Sequence, residues 1–335
     1  MKKIMNEPEQ FVQEVVEGIV LAYGDRLRTL DGDHRVLLRN PPARAGKVAI
    51  VTGGGSGHLP VFLGYVGEGM LDGCAVGNVF ASPSAQKMTD LIKACDRGAG
   101  VLCLYGNYGG DSLNFDMACE TADFDDIKTA TVRVCDDVAS SPKGAEGKRR
   151  GVAGMVYAFK VAGAAAERGD DLAGVTAVAN KVLANLRTMG VALSPCIVPQ
   201  VGKPTFSIQE NEIEIGMGIH GEPGIEVRPM MKADEIAALA LDKILEDMPL
   251  ADGDEVSVMV NGLGATPLEE LLIVYRALHR ALAARGVASF MPHVGEFATS
   301  MEMAGLSVTL LKLDADLKTL LRAPGSTPFY TSSNK

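Results

Sequence analysis

Three times in the first 140 residues, a short apolar run of the kind that forms a buried strand ends in a loop rich in glycine or aspartate. KVAIVT (47–52) runs into GGGSGHLP (53–60), AGVLCLY (99–105) into GNYGGD (106–111), and TATVRV (129–134) into CDDVA (135–139). Helical patterns at 83–96, 112–122, 152–168 and 171–189 separate and follow these runs. Such repetition requires crossover connections, so it predicts a largely parallel sheet flanked by helices. Ligands of such sheets bind beyond the carboxyl ends of the strands. Three polar loops at three strand ends therefore predict one convergent site.

The pattern changes near residue 190. SPCIVPQVG (194–202), KPTFSI (203–208) and NEIEIGMGI (211–219) read as β segments, and further strands are expected at 253–261 and 308–314. Helices are expected at 8–23, 232–247 and 267–286, while 25–42 reads as a polar stretch and 140–151 as an exposed polar loop. The expectation is two α/β domains: 1–190 with a largely parallel sheet and 191–335 with a mixed one.

Composition narrows the function. Hydrophobic residues make up 47 %, enough for two cores, whereas a net charge of −10 disfavours nucleic acid. Trp is absent, so base-stacking platforms are not expected. MKKIMNEPEQ has no apolar run behind its lysines, and no apolar stretch reaches membrane-spanning length. Cys74, Cys95, Cys103, Cys119, Cys135 and Cys196 lack zinc-ribbon spacing. They are expected to be buried free thiols in a cytoplasmic protein. No metal site is expected.

GGGSGHLP follows a strand but is not a Walker A loop, because Gly57 is followed by His58-Leu59 instead of Lys-Ser/Thr. The third glycine of a dinucleotide fingerprint is also missing. The bare amides of Gly53, Gly54, Gly55, Ser56 and Gly57 can hold a polar ligand with His58. A tight turn with a solvent-facing histidine fits equally. Asp111 reads as a helix N-cap or a general base. Asp136 and Asp137 read as hydrogen-bonding and capping residues. In NGLGATP (261–267), Thr266-Pro267 suits N-cap and N1. His34, His279 and His293 read as surface or packing residues. His220 sits among Gly216, Gly218, Gly221 and Gly224, a setting that core packing does not require.

GGGSGH (53–58), GNVFASPS (77–84), NYGGDSLNF (107–115), DDVA (136–139), GKPTF (202–206), GIHGEPG (218–224), NGLGATP (261–267) and TSMEMAGLSVTLLKLD (299–314) occur in this order. Together they resemble the substrate-binding K subunit of the dihydroxyacetone kinase family, over roughly residues 10–320. The resemblance implies a two-domain subunit, usually a homodimer, that binds a short ketose covalently. His220 would add to the carbonyl as a hemiaminal, Asp111 would take the proton of the hydroxyl to be phosphorylated, and His58 would hydrogen-bond the substrate. The strand-end residues Gly53 to Gly57 and position 106 would line the substrate. No cofactor is implied on this subunit. ATP or ADP with Mg²⁺ would sit on a separate, helical L-type partner, with free ATP or a phosphotransferase-system protein as phosphoryl source. Two positions depart from the family: Leu59 replaces an acidic residue and Gly106 a lysine. These departures imply room for a larger ketose, such as erythrulose or apulose. Some relatives instead bind the ketose as non-catalytic co-activators of a transcription factor.

Overall fold

The computed structural model describes residues 2–333. Its first sheet contains β1 (Leu27–Leu30), β2 (Asp33–Arg39), β3 (Ala49–Ser56), β4 (Gly73–Val79), β5 (Val101–Gly106) and β6 (Thr129–Val134). Their order is β1-β2-β4-β3-β5-β6. β4, β3, β5 and β6 run parallel, and β1 and β2 form an antiparallel hairpin at one edge. Alternate side chains of β5 feed two cores, as the pleat of a strand requires. Val101, Cys103 and Tyr105 pack with α2 (Ala85–Cys95) and α3 (Gly109–Asp123). Leu102 and Leu104 pack on the other face with α1 (Phe11–Ala22), α4 (Met155–Arg168) and α5 (Leu172–Ala184). Every residue from Met155 to Ala166 is buried, which fits a helix that is apolar on all faces except at Lys160, whose Nζ donates to the Leu320 carbonyl at 2.9 Å.

The second sheet holds β7 (Leu186–Ser194), β8 (Glu212–Ile215), β9 (Glu226–Pro229), β10 (Glu255–Gly262), β11 (Ala288–Ser289), β12 (His293–Gly295) and β13 (Ala304–Leu313). It is ordered β11-β10-β13-β7-β8-β9, with β12 also paired to β10. β11 and β12 are parallel to β10 and the other pairs are antiparallel, so this sheet is mixed. α6 (Ala233–Asp247) and α7 (Leu268–Ala283) cover it through a second apolar cluster. The chain then returns. Leu317, Leu320 and Leu321 of α8 (Ala315–Arg322), with Tyr330, complete the core shared by α1 and α4. The short pair β14 (Gly325–Ser326) and β15 (Thr331–Ser332) follows, and Ser326 bridges to Glu68.

Several sequence expectations are corrected. The stretch 25–42 contains the β1–β2 hairpin, and GCAVGNV forms β4. The helix expected over 171–189 stops at Ala184. Residues from Leu186 form β7, which crosses position 190 and lies wholly in the second sheet. Thr188 suits a strand and Gly190 disfavours continuing the helix, and the Thr188 hydroxyl donates to Asp136 at 2.5 Å. Residues 195–208 form no strand beyond an isolated Ile197–Pro204 bridge. Within the loop 140–151, Arg149 is 1 % exposed. Its guanidinium makes a fork to Asp247 at 2.9 and 2.6 Å. Pro267 occupies the N-cap position of α7, and the Thr266 hydroxyl instead donates to the Gly305 carbonyl at 2.7 Å.

Candidate functional site

The glycines of GGGSGH belong to β3 and its exit, and they admit other side chains. A Cβ at Gly54 would lie 2.4 Å from the Phe62 ring, and one at Gly55 2.7 Å from the Ala81 amide. Gly57 has φ 98° and lies against Phe80, where a Cβ would meet the ring at 2.9 Å. The Phe80 ring in turn stacks on His58, with centroids 4.8 Å apart.

His58 is 1 % exposed, which removes the solvent-facing reading. Its Nδ1 donates to the Thr299 carbonyl at 2.7 Å. A carbonyl only accepts, so Nδ1 carries the proton and Nε2 bears a lone pair. Nε2 is buried and has no hydrogen-bond partner among the described residues. Burial pushes the His58 imidazolium down to about 3. Thr299 is fixed in its turn: its amide donates to the His58 carbonyl at 3.2 Å and its hydroxyl to the Leu59 carbonyl at 2.8 Å.

His220 lies on the connection between β8 and β9. The carboxylate of Glu222 spans this residue, accepting from its Nδ1 at 2.8 Å and from its backbone amide at 2.9 Å. That arrangement protonates Nδ1 and leaves Nε2 free. Burial would lift the Glu222 carboxyl, but the hydrogen bonds it accepts from the His220 ring and backbone bring it down to about 2. The rings of His58 (4.7 Å), Tyr108 (4.8 Å) and Phe80 (5.4 Å) surround the imidazole edge to face.

The glycines around His220 also have a use. A Cβ at Gly218 would lie 2.2 Å from Glu222 Oε2 and 2.6 Å from Arg150 Nη1. They make room for the groups that hold the imidazole. Arg150 donates from Nε to Asp137 Oδ2 at 2.9 Å and from Nη2 to the Gly216 carbonyl at 3.0 Å, with Nη1 4.0 Å from Glu222. One guanidinium thus ties the His220 loop to the end of β6.

Asp111 is not the N-cap of α3. Tyr108 holds that position and Gly109-Gly110 form the start of the helix, which puts Asp111 third in the first turn. It is 6 % exposed, and its Oδ1 has no partner among the described residues. Burial pushes its carboxyl up to about 6, against the opposing effects of the Ser82 hydroxyl and His220. Asp136 and Asp137 act as hydrogen-bond hubs: Asp136 accepts from the amides of Val152 and Gly154 at 2.8 Å each. Asn261 ties strand ends together, donating to the Ala298 carbonyl at 2.8 Å.

The two family departures lie differently from expectation. Gly106 is packed: a Cβ there would meet Met155 Sδ at 3.0 Å and the Tyr108 ring at 3.1 Å. Leu59 lines an apolar cavity of about 210 Å³ with Phe11, Val15, Leu63 and Met301, and neither imidazole borders it.

Phe80, Tyr108, Thr299 and Arg150 are the site residues that local sequence reasoning missed. Arg150 carried a signal, as part of the densest basic run of the chain. Thr299 carried no local signal beyond opening the motif TSMEMAGLSVTLLKLD, since it meets His58 across 241 residues of chain. Among the described residues no cluster of His, Cys, Asp or Glu could hold a metal ion, and no helix is long and apolar enough to cross a membrane. The site offers two imidazole lone pairs and a carboxyl poised near neutrality. Those groups can trap a carbonyl and accept a hydroxyl proton.

Comparison with known proteins gives one answer. The Dak1 domain model matches residues 17–329. The chain is 47 % identical over 314 residues to the dihydroxyacetone-binding subunit DhaK of a PTS-dependent dihydroxyacetone kinase of Listeria innocua, covering 94 % of this chain and 95 % of that protein. It is 43 % identical to an L-erythrulose kinase of Pectobacterium atrosepticum, covering 98 % of this chain but only 56 % of that protein. Among solved structures, the dihydroxyacetone kinase of C. freundii in complex with AMP-PNP and Mg²⁺ superposes with a TM-score of 0.90 at 32 % identity, over 99 % of this chain and 61 % of that one. A dihydroxyacetone kinase operon co-activator superposes with a TM-score of 0.89 at 30 % identity, over 98 % of this chain and 99 % of that one.

Proposed function

This chain belongs to the Dak1 domain family, and we propose that it is the ketose-binding, catalytic subunit of a two-component kinase. The observation that carries this reading is the state of His220. Glu222 accepts from Nδ1, so Nε2 is the ring nitrogen left to act as nucleophile, in an imidazole ringed by Tyr108, Phe80 and His58. Its lone pair adds to the ketone carbon. The C=O π electrons move to oxygen, which is then protonated, and the new imidazolium keeps its Nδ1–H against the Glu222 carboxylate. A hemiaminal demands an electrophilic carbonyl, so polyols of the same size are excluded by reactivity. Covalent fixing also orients the terminal hydroxyl, and positioning supplies much of the catalysis in phosphoryl transfer.

His58 Nε2 is an acceptor at neutral pH and takes a hydrogen bond from a substrate hydroxyl. Asp111 receives the proton of the attacking hydroxyl. The segment Gly53 to Gly57, with Gly106, forms the floor under the ketose. The phosphoryl group comes from ATP held with Mg²⁺ on a separate L-type subunit, and the ADP that transfer leaves there is recharged by a phosphotransferase-system protein or exchanged for free ATP. A cytoplasmic homodimer is part of this reading.

Dihydroxyacetone and the tetrulose erythrulose are the substrates to test first, because the relatives above act on one or the other. Intact mass of the protein after incubation with each ketose should show an adduct of one ketose, absent in His220→Ala. No adduct with any ketose, or an adduct that survives His220→Ala, overturns the reading. The likeness to an operon co-activator supports a second reading, in which the ketose is bound but not phosphorylated. Adduct formation without turnover in the presence of a competent L-type subunit would select it.

A further inference from the structure

Away from the imidazoles, two cysteines form an asymmetric pair on the elements that carry the site. Cys103 lies in β5 and is fully buried, while Cys119 lies in α3 and is half-buried. Their sulfur atoms are 3.7 Å apart. Cys103 is in register with Thr131 of β6, whose hydroxyl lies 4.0 Å from the Cys119 sulfur. β6 is the edge of its sheet and Thr131 is exposed, so a small polar molecule can reach Cys119 across that edge.

The pair is polarised. The Cys103 hydrogen bond, with support from the Thr129 and Thr131 hydroxyls, outweighs burial and brings the Cys119 thiol down to about 6. The same hydrogen bond, together with burial, drives Cys103 well above the usual thiol range. Burial raises the other four cysteines. Cys119, the partly exposed sulfur, is thus the one a reagent meets first, and the enclosed Cys103 lies directly behind it.

We propose that Cys119 is an oxidation site for small hydroperoxides and that Cys103 resolves the product to a Cys103–Cys119 disulfide. In the first step the Cys119 thiolate attacks a peroxide oxygen. The S–O bond forms, the O–O bond breaks, and hydroxide leaves and takes up a proton as water. In the second step the Cys103 sulfur attacks the Cys119 sulfenic sulfur. The S–S bond forms, the S–O bond breaks, and a second water leaves with the Cys103 proton. Two thiols supply the two electrons that hydrogen peroxide accepts. A disulfide spans about 2.05 Å between sulfurs, so the pair must close by roughly 1.7 Å. That pull acts on α3, the helix whose first turn carries Asp111 about two turns away. The oxidation chemistry stands independently of the catalytic reading.

The test is peroxide treatment of the whole protein, followed by non-reducing peptide mapping. Low-equivalent hydrogen peroxide should give a peptide linking Cys103 and Cys119, lost on adding dithiothreitol. Cys119→Ser should abolish the link. Cys103→Ser should leave a Cys119 sulfenate that dimedone traps. Circular dichroism melts of both variants confirm that they remain folded. Oxidation of another cysteine first, or conversion of wild-type Cys119 to sulfinic acid without a link, overturns the proposal, as does a thiol pair that stays reduced while dimedone labels nothing.

Discussion

The imidazole rings of His58 and His220 meet edge to face, 4.7 Å between centroids, and each is anchored at Nδ1 by an oxygen acceptor. The anchors differ in kind. A neutral carbonyl holds His58, whereas a carboxylate holds His220 and can balance the positive charge that forms when its ring attacks a carbonyl. The pair is therefore an acceptor and a nucleophile, not two equivalent bases.

His58 is expected to stay neutral throughout the physiological range, because burial sets its imidazolium near 3. In an NMR titration its ring resonances should show no inflection between about pH 5 and 8, the range in which free imidazoles titrate. A His58 midpoint in that window would contradict the role of acceptor.

Glu222→Gln keeps the shape of the orienting group but removes its charge. A hydrogen bond to a charged group contributes ~1.5–3 kcal/mol, so the ketose adduct should weaken by about 10- to 100-fold. Titration of the adduct by intact mass measures this. Unchanged affinity would mean that the carboxylate does not support the imidazolium.

Asp111 links activity to stability. Its carboxyl is raised from an ordinary 3.8 to about 6, so ionising it disfavours the folded state. Its contribution is most favourable below about pH 4 and is lost as pH rises through 6, a difference of about 3 kcal/mol. Asp111→Asn should therefore stabilise the protein at pH 7, with the gain shrinking toward zero near pH 4 in urea melts. The same variant should keep the ketose adduct and lose phosphoryl transfer. Wild-type transfer should fall off below pH 6 as the base is protonated.

Arg150→Gln leaves the Asp137 carboxylate buried without its cation, a change that costs ~3–5 kcal/mol when one partner of a buried pair is removed. Urea unfolding should register that loss, and Arg150→Gln with Asp137→Asn should recover much of it. Adduct affinity should not recover in the double variant, because the Gly216 carbonyl and Glu222 remain without their clamp. Full recovery of both would reduce Arg150 to a structural residue.

Local sequence located the strand ends that matter, because β3, β5 and β6 are apolar runs closed by Gly or Asp. It failed where periodicity is ambiguous. The run from Leu172 to Leu193 is apolar enough to suit helix or strand, and only tertiary pairing of Thr188 with Asp136 and β13 decides the change at residue 185. Asp111 was misplaced by one structural role, since two glycines before it read as a loop and yet form the helix start. The bare-backbone pattern around His220 marked the right residue. Its cause lies in Glu222 and Arg150, which press against the loop, and Arg150 comes from 70 residues earlier. Contacts of that range are not written in the sequence around His220.

The return of residues 317–330 to the core beside α1 and α4 bears on how the molecule is made. During vectorial synthesis the first sheet emerges early, but Leu317, Leu320, Leu321 and Tyr330 seal its core only after the entire second sheet has left the ribosome. The nascent amino-terminal half must wait with part of its apolar surface uncovered, and the two sheets reach their final state together.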